Sequence, residues 1–363
     1  MRQIILLLLR LSLLFALPLL GGCETLRYYW QAVQGQWELI DKAKPISELL
    51  SDPALDPTLR HKLEQVNAAR QYAAETMRLP VENAYTRYVA LDRPAVVWNI
   101  VAAPEFSLEA KRWCFPVAGC VKYKGYFDLN MARNEAKALQ DAQYDVALGS
   151  VAAYSTLGWF DDPVLSTFIN DTDENLQRLI LHELAHRQFY VSGDTTLNES
   201  WATAVAAQGL EELHPSGSES RSTVREHRPF ETVFLEESLH LRDQLRQLYD
   251  DHADHPDRAS IDEWRAQKQT LIATFQRRLE NQAKHVDEAS RYAHWWQNPV
   301  NNAHLIAVHN YHRWVDGLRY QLEVVLKGDW KAFYAWSETT LEPLDETARS
   351  ALLDSLNAQA NPE

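Results

Sequence analysis

The chain has 363 residues, 46% of them hydrophobic and 24% charged, a globular composition long enough for one large or two modest domains. Its formal charge is −14, its pI is about 5.4, and no stripe of Lys and Arg runs along it. That balance excludes nucleic acid as a partner, because neutralising phosphates takes clustered cations.

The chain opens "MRQIILLLLRLSLLFALPLLGGC". Arg2 and Arg10 give a positive start, and Arg10 cuts the apolar run short of the ~20 residues that span a bilayer. Residues 1–22 therefore read as a processing signal rather than a transmembrane helix. The end of this stretch, "LGGC", resembles the bacterial lipobox, in which Cys23 is lipidated and becomes the mature N-terminus. That resemblance implies a lipid anchor in the bacterial cell envelope facing the periplasm, with the choice between inner and outer membrane left open. Residues 23–45, with the aromatic-rich "ETLRYYWQAVQGQWELI", are expected to form a tether.

Residues 46–215 read as a mixed α/β core. From Ile46 to about Met77 the pattern is helical, broken at Pro53 and Pro57. "AYTRYVAL", "AVVWNIVAAP" and "VKYKGYF" carry the β-branched and aromatic residues of strands. Between them, Cys114 and Cys120 form an even pair with Pro116 and Gly119 to bend the chain, as in a short-loop disulfide; half of a zinc knuckle is the alternative, but no second Cys pair exists. "DLNMARNEAKALQDA" reads as a helix capped by Asp128 or Asn130, and "YDVALGSVAAYS" returns to strand. From Asp171 onward the chain is almost wholly helical. Residues 216–300 are expected as a helical hairpin bent near Pro256, with "HADHPDR" as a solvated loop, and residues 301–357 as C-terminal helices that complete the active site. The fold class is α+β, predominantly helical, with a small β-sheet.

The chemistry concentrates in "LHELAHRQFYVSGDTTLNESWATAVA", from Leu181 to Ala206. On a helix, residues i and i+4 share a face, so His182 and His186 can turn ring nitrogens to one ion. Glu183 sits beside the first histidine, where it can hold a water and take its proton. A catalytic zinc needs three protein ligands and an open fourth position. Glu199 is the candidate third ligand. On a straight helix it would lie ~20 Å from His186, so the ligand reading demands a turn, and "VSGDTT" supplies one. A second helix then begins near Leu197, with small alanines allowing close approach. Thr196 and Glu199 also fit a capping box, in which the glutamate binds its own helix start. Asp171 and Glu174 give a similar start to the first helix.

"HELAH" followed by "NESWA" resembles the gluzincin metallopeptidases. More closely, the chain is similar to the bacterial predicted-aminopeptidase lipoproteins, through "YYWQAVQGQWELI", "WNIVAAPEFSLEAKRWCFPVAGCVKYKGYF", "VAAYSTLGWFDDPVLSTF" and "NNAHLIAVHNYHRWV". The resemblance implies a gluzincin-like core holding one Zn2+ through His182, His186 and Glu199, with Glu183 as general base and a peptide or protein as substrate. Aminopeptidase action comes from the resemblance alone; endopeptidase action and a non-catalytic scaffold are the other readings. Thr203 stands where thermolysin-like enzymes place an aspartate, which leaves the partners that orient the histidines unassigned.

Peptide hydrolysis also needs an oxyanion donor. Tyr311, in an oddly polar helix, is the candidate, against the alternative of a buried structural tyrosine; His309 and His312 flank it. Tyr154, Trp159 and Phe160 read as a substrate pocket or as core. Asp161 and Asp162 suit a substrate α-ammonium or the cap of a helix starting at Pro163.

Overall fold

The computed structural model describes residues 25–115, 119–151, 153, 161–215, 230–284 and 286–361. The architecture is predominantly helical with small sheets. Residues 25–42, assigned above to a tether, form helix α1. Helices α2 (Ile46–Ser51) and α3 (Pro57–Glu75) follow, separated as the two prolines require. Pro57 at the first helical position and Asp56 accepting from the Leu59 amide set the start of α3.

Strand β1 (Lys44–Pro45) pairs antiparallel with β2 (Arg87–Val89), which pairs parallel with β8 (Val164–Leu165). The second sheet runs β6 (Lys124–Tyr126), β3 (Val97–Pro104), β7 (Tyr144–Val151), all antiparallel, so β7 is an edge strand. Helix α4 (Leu129–Asp141) covers it, capped by Asp128, which accepts from the Asn130 and Met131 amides. Strands β4 (Trp113–Phe115) and β5 (Gly119–Val121) form a hairpin in which Cys114 and Cys120 stand opposite each other and are joined by a disulfide. No helix of the described residues is long and apolar enough to cross a membrane.

The principal core lies between α3, α5 (Asp173–Gln188) and α6 (Thr195–Leu213), closed by the C-terminal helices. Trp201 is wholly buried, ring against Phe189, Phe333 and Tyr334, with Nε1 donating to Ser337. Gly209 brings α6 close to the end of α3: a Cβ there would fall 2.6 Å from the flexible end of the Met77 side chain, which would have to shift. Helices α7 (Phe230–Asp254) and α8 (Ile261–Ala283) pack through their own cluster, including Phe234, Leu245 and Phe275. The stretch between them, with Pro256, is exposed.

Near the C-terminus, the helical segment from Asn302 to Val325 is broken into three pieces. Helix α9 (Asn302–His312) ends at Arg313, Trp314 leaves helical geometry, and α10 (Val315–Tyr320) runs into a π-helical stretch, Gln321–Val325. The break lets Gly317 lie directly on the backbone of α12 (Glu346–Ala360), where Asn357 accepts from its amide. Helix α11 (Trp330–Trp336) supplies Phe333 and Tyr334 to the core. A helix starting at Pro163, one of the two readings of Asp161 and Asp162, is absent: that segment is β8, because Val164 and Leu165 are drawn into the sheet beside β2.

Candidate metal centre

Helix α5 begins one residue later than the Asp171–Glu174 pattern predicts. Thr172 is the cap, accepting from the Asn175 amide, while the Asp171 carboxylate takes the Thr172 amide and the Asn175 side chain. Leu176, Ile180, Leu181 and Leu184 are buried, which fixes the rotation of the helix and turns His182 and His186 toward α6. The chain leaves α5 through an extended Phe189 and reverses through Gly193 at φ +85°. Asn198 holds this reversal from the next helix: its Oδ1 accepts from the Val191 amide and its Nδ2 donates to the Val191 carbonyl, both at 2.8 Å.

Helix α6 then starts at Thr195, not near Leu197, with Asp194 as its cap accepting from the Leu197 amide. The Asp194 carboxylate is also ion-paired with Arg349 at 3.1 Å, both side chains almost fully buried. Thr196 does not cap the helix. Its hydroxyl donates to Asn310 and accepts from Lys122. With the cap filled by Asp194, Glu199 is inside the helix and faces the histidines.

The result is a three-atom cluster. His182 Nε2 lies 3.2 Å from His186 Nε2, and Glu199 Oε2 lies 3.3 Å and 3.5 Å from those two nitrogens. Ligand atoms bound to one tetrahedral zinc at about 2.0–2.1 Å stand roughly 3.3 Å apart, so two imidazoles and a carboxylate at these separations fit that ion. Among the described residues this is the one group of three or more His, Cys, Asp or Glu so arranged. Electrostatics bind the three together. Burial pushes the Glu199 carboxyl up, but His186 and His182 outweigh it and hold the pKa well below the usual range. Burial pushes the His186 pKa down, and Glu199 outweighs it, leaving the pKa raised. The Nδ1 of His186 is buried with no acceptor among the described residues, so the carboxylate–histidine–zinc arrangement is not reproduced there.

Glu183 lies on the same helix, half-buried, and burial pushes its carboxyl pKa up against the pull of His182 and His186. Tyr311 stacks on His182, ring centroids 5.9 Å apart at 23°. Part of its ring reaches solvent, 43% exposed, while the Glu199 charge and burial push the phenol pKa well above its usual value. It is therefore a protonated donor beside the cluster. His312 is also near His182, and burial pushes its pKa down. His309 points to the other side of α9: burial, then the charges of Arg242, Arg313 and Lys122, push it down to about 2.

Asp161 is exposed, while Asp162 is buried, its backbone carbonyl accepting from the Tyr85 amide at 2.7 Å. Tyr154, Trp159, Phe160 and Cys23 lie outside the described residues. Several residues around the site carry no signal in the sequence. Tyr85, at φ +60°, and Tyr190 are close enough to the cluster for Glu183 and Glu199 respectively to raise their phenol pKa values beyond what burial does. Asn198 is one step from Glu199 in "NESWA", yet only the folded turn shows what it does.

The sequence pattern described as "Putative aminopeptidase" matches residues 27–353, most of the chain. The chain belongs to that family. The matched span includes both metal-site helices, Tyr311 and Arg349, so this family's pattern covers the whole candidate metal centre. No curated protein and no solved structure matches the chain.

Proposed function

We propose that this member of the putative aminopeptidase family is a zinc-dependent peptidase that removes the N-terminal residue of its peptide substrates, and that Cys23 carries a lipid that anchors it in the bacterial envelope. The observation that carries the proposal is the clustering of His182 Nε2, His186 Nε2 and Glu199 Oε2, all within 4.8 Å of one another. Two neutral imidazoles and one carboxylate are a catalytic donor set for zinc, because they leave a fourth position open. When bound, the ion supplies Lewis acidity, acidifying water and polarising the scissile carbonyl.

The chain's own residues supply the rest. Glu183, with its carboxyl drawn toward neutrality by burial, takes the proton of the attacking water and hands it to the departing amine. One proton enters the carboxylate and one leaves it, so the group is regenerated. Tyr311 keeps its proton and donates a hydrogen bond to the oxygen on which charge develops. Among the described residues β7 stands at the edge of its sheet, and an edge strand can align a substrate backbone by strand addition.

Exopeptidase action rests on the family's description, with Asp162, whose charge acts on Glu183, as the nearer carboxylate for a substrate ammonium. A panel of peptides with free and acetylated N-termini tests it. Cleavage confined to free N-termini and abolished by a zinc chelator is the expected result. Equal cleavage of blocked peptides overturns the exopeptidase reading and leaves an endopeptidase.

A further inference from the structure

Helix α1 has two apolar faces, and only one of them is used by the fold. On the inner face Leu39 is 1% exposed and Gln31 is buried, its Oε1 accepting from the Phe127 amide at 2.7 Å. A Cβ on Gly35 would fall 2.1 Å from the Phe127 ring, so glycine lets the helix lie flat on the body. Tyr28 packs on Tyr126 and Phe115, and Glu38 accepts from Arg93. These contacts fix the rotation of α1.

The outer face is therefore held outward, and it is apolar. Leu26, Trp30, Val33, Trp37 and Ile40 are 71%, 60%, 60%, 67% and 45% exposed, with Tyr29 beside them at 41%. Their spacing of four, three, four and three residues is that of a single helical stripe. Large exposed hydrophobics are otherwise sparse: of eleven among the described residues, these six are on α1. Such a concentrated stripe marks an interaction surface.

We infer that this stripe is a membrane-contact surface, with α1 lying in the interface of a lipid bilayer. Two observations select that occupant. The helix begins directly after the apolar stretch Ile4–Leu20 and Cys23, so the chain end that carries the expected anchor emerges at the stripe itself. The stripe is rich in Trp and Tyr, whose amphipathic rings favour the bilayer–water boundary. No helix of the described residues is long and apolar enough to cross, so α1 lies on the surface rather than spanning it. The cations Arg27 and Lys42 are offset by Glu38 and Asp41 on the same helix, so contact does not depend on anionic lipid. The inference is independent of the peptidase reading.

The test uses the unlipidated chain from Glu24 to Glu363, which contains every described element, in cosedimentation with phosphatidylcholine vesicles, with and without phosphatidylglycerol. Binding to both compositions is expected, weakened at least about tenfold in Trp30→Gln/Trp37→Gln, since each indole removes apolar area from water. Val324→Gln/Val325→Gln, exposed elsewhere, leaves binding unchanged. Both variants replace exposed side chains, and unchanged thermal midpoints confirm that they fold. Three results overturn the inference: no binding to either vesicle; binding only to anionic vesicles and insensitive to the tryptophans; or lipid-free dimers that the tryptophan substitutions dissociate, which would make the occupant a second copy.

Discussion

Glu199 Oε2 lies 3.5 Å from His186 Nε2, although thirteen residues and a complete chain reversal separate the two. That contact exists because Asp194, not Thr196, caps helix α6 and because Asn198 clamps the turn that precedes it.

Glu183→Gln keeps the shape of the side chain and removes its capacity to accept a proton. Cleavage is expected to fall by at least about a hundredfold, with zinc content unchanged. Steady-state kinetics on the best free-N-terminal peptide, paired with metal analysis of the same sample, measures both.

Tyr311→Phe removes one hydroxyl beside the cluster without disturbing the ring stacked on His182. The expected loss is about 10²–10³ in kcat with KM nearly constant, as for deletion of an oxyanion donor. A change confined to KM would instead assign Tyr311 to substrate binding.

Asn198→Ala removes both hydrogen bonds that fasten Val191. It is expected to cost about 1–3 kcal/mol in urea unfolding. Because the same turn sets where Glu199 lies, zinc affinity measured by chelator competition should drop about tenfold or more.

How much of this was legible in the sequence varies from residue to residue. The i, i+4 histidines and the need for a turn at Gly193–Asp194 follow from helix geometry and loop composition. The capping box at Thr196 was a false lead for a physical reason: Asp194 and Thr196 are both good caps, and the one that won is also ion-paired with Arg349, 155 positions away in the chain. No local pattern reports such a contact. The reading of a helix at Pro163 failed similarly, since pairing with β2 overrides the local cap signal of Asp161 and Asp162. Asp128 as the cap of α4 and the predominantly helical α+β class were readable because periodicity and capping agreed there. The tyrosines that gather around Glu183 and Glu199 come from separate elements and had no shared spacing to find.

Arg349→Leu leaves Asp194 buried without its partner, and both side chains are only 6% exposed. Breaking a buried pair in this way costs about 3–5 kcal/mol. Adding Asp194→Asn should recover part of that loss, because asparagine still caps α6 and carries no charge. A double-mutant cycle in urea measures the coupling.

Acid should destabilise the protein through His309. Its folded pKa is pushed down to about 2, far below the ordinary value for histidine, by burial and by Arg242, Arg313, Lys122 and Arg246. Below the unfolded pKa of about 6.5 the unfolded chain binds a proton that the folded chain refuses. The stabilisation is therefore complete above about pH 6.5 and is lost as pH falls, at about 1.4 kcal/mol per pH unit for this one group. His309→Gln should flatten the slope of stability against pH between 6 and 5 by that amount.

The central claim is that His182, His186 and Glu199 together hold one zinc ion. Metal analysis of the purified wild-type chain beside Glu199→Ala tests it most directly. The account predicts about one zinc per chain in the wild type and less than about a tenth in the variant at equal free zinc, with unchanged far-ultraviolet circular dichroism. Equal loading of the two proteins, or a wild type that takes up no zinc, would contradict it.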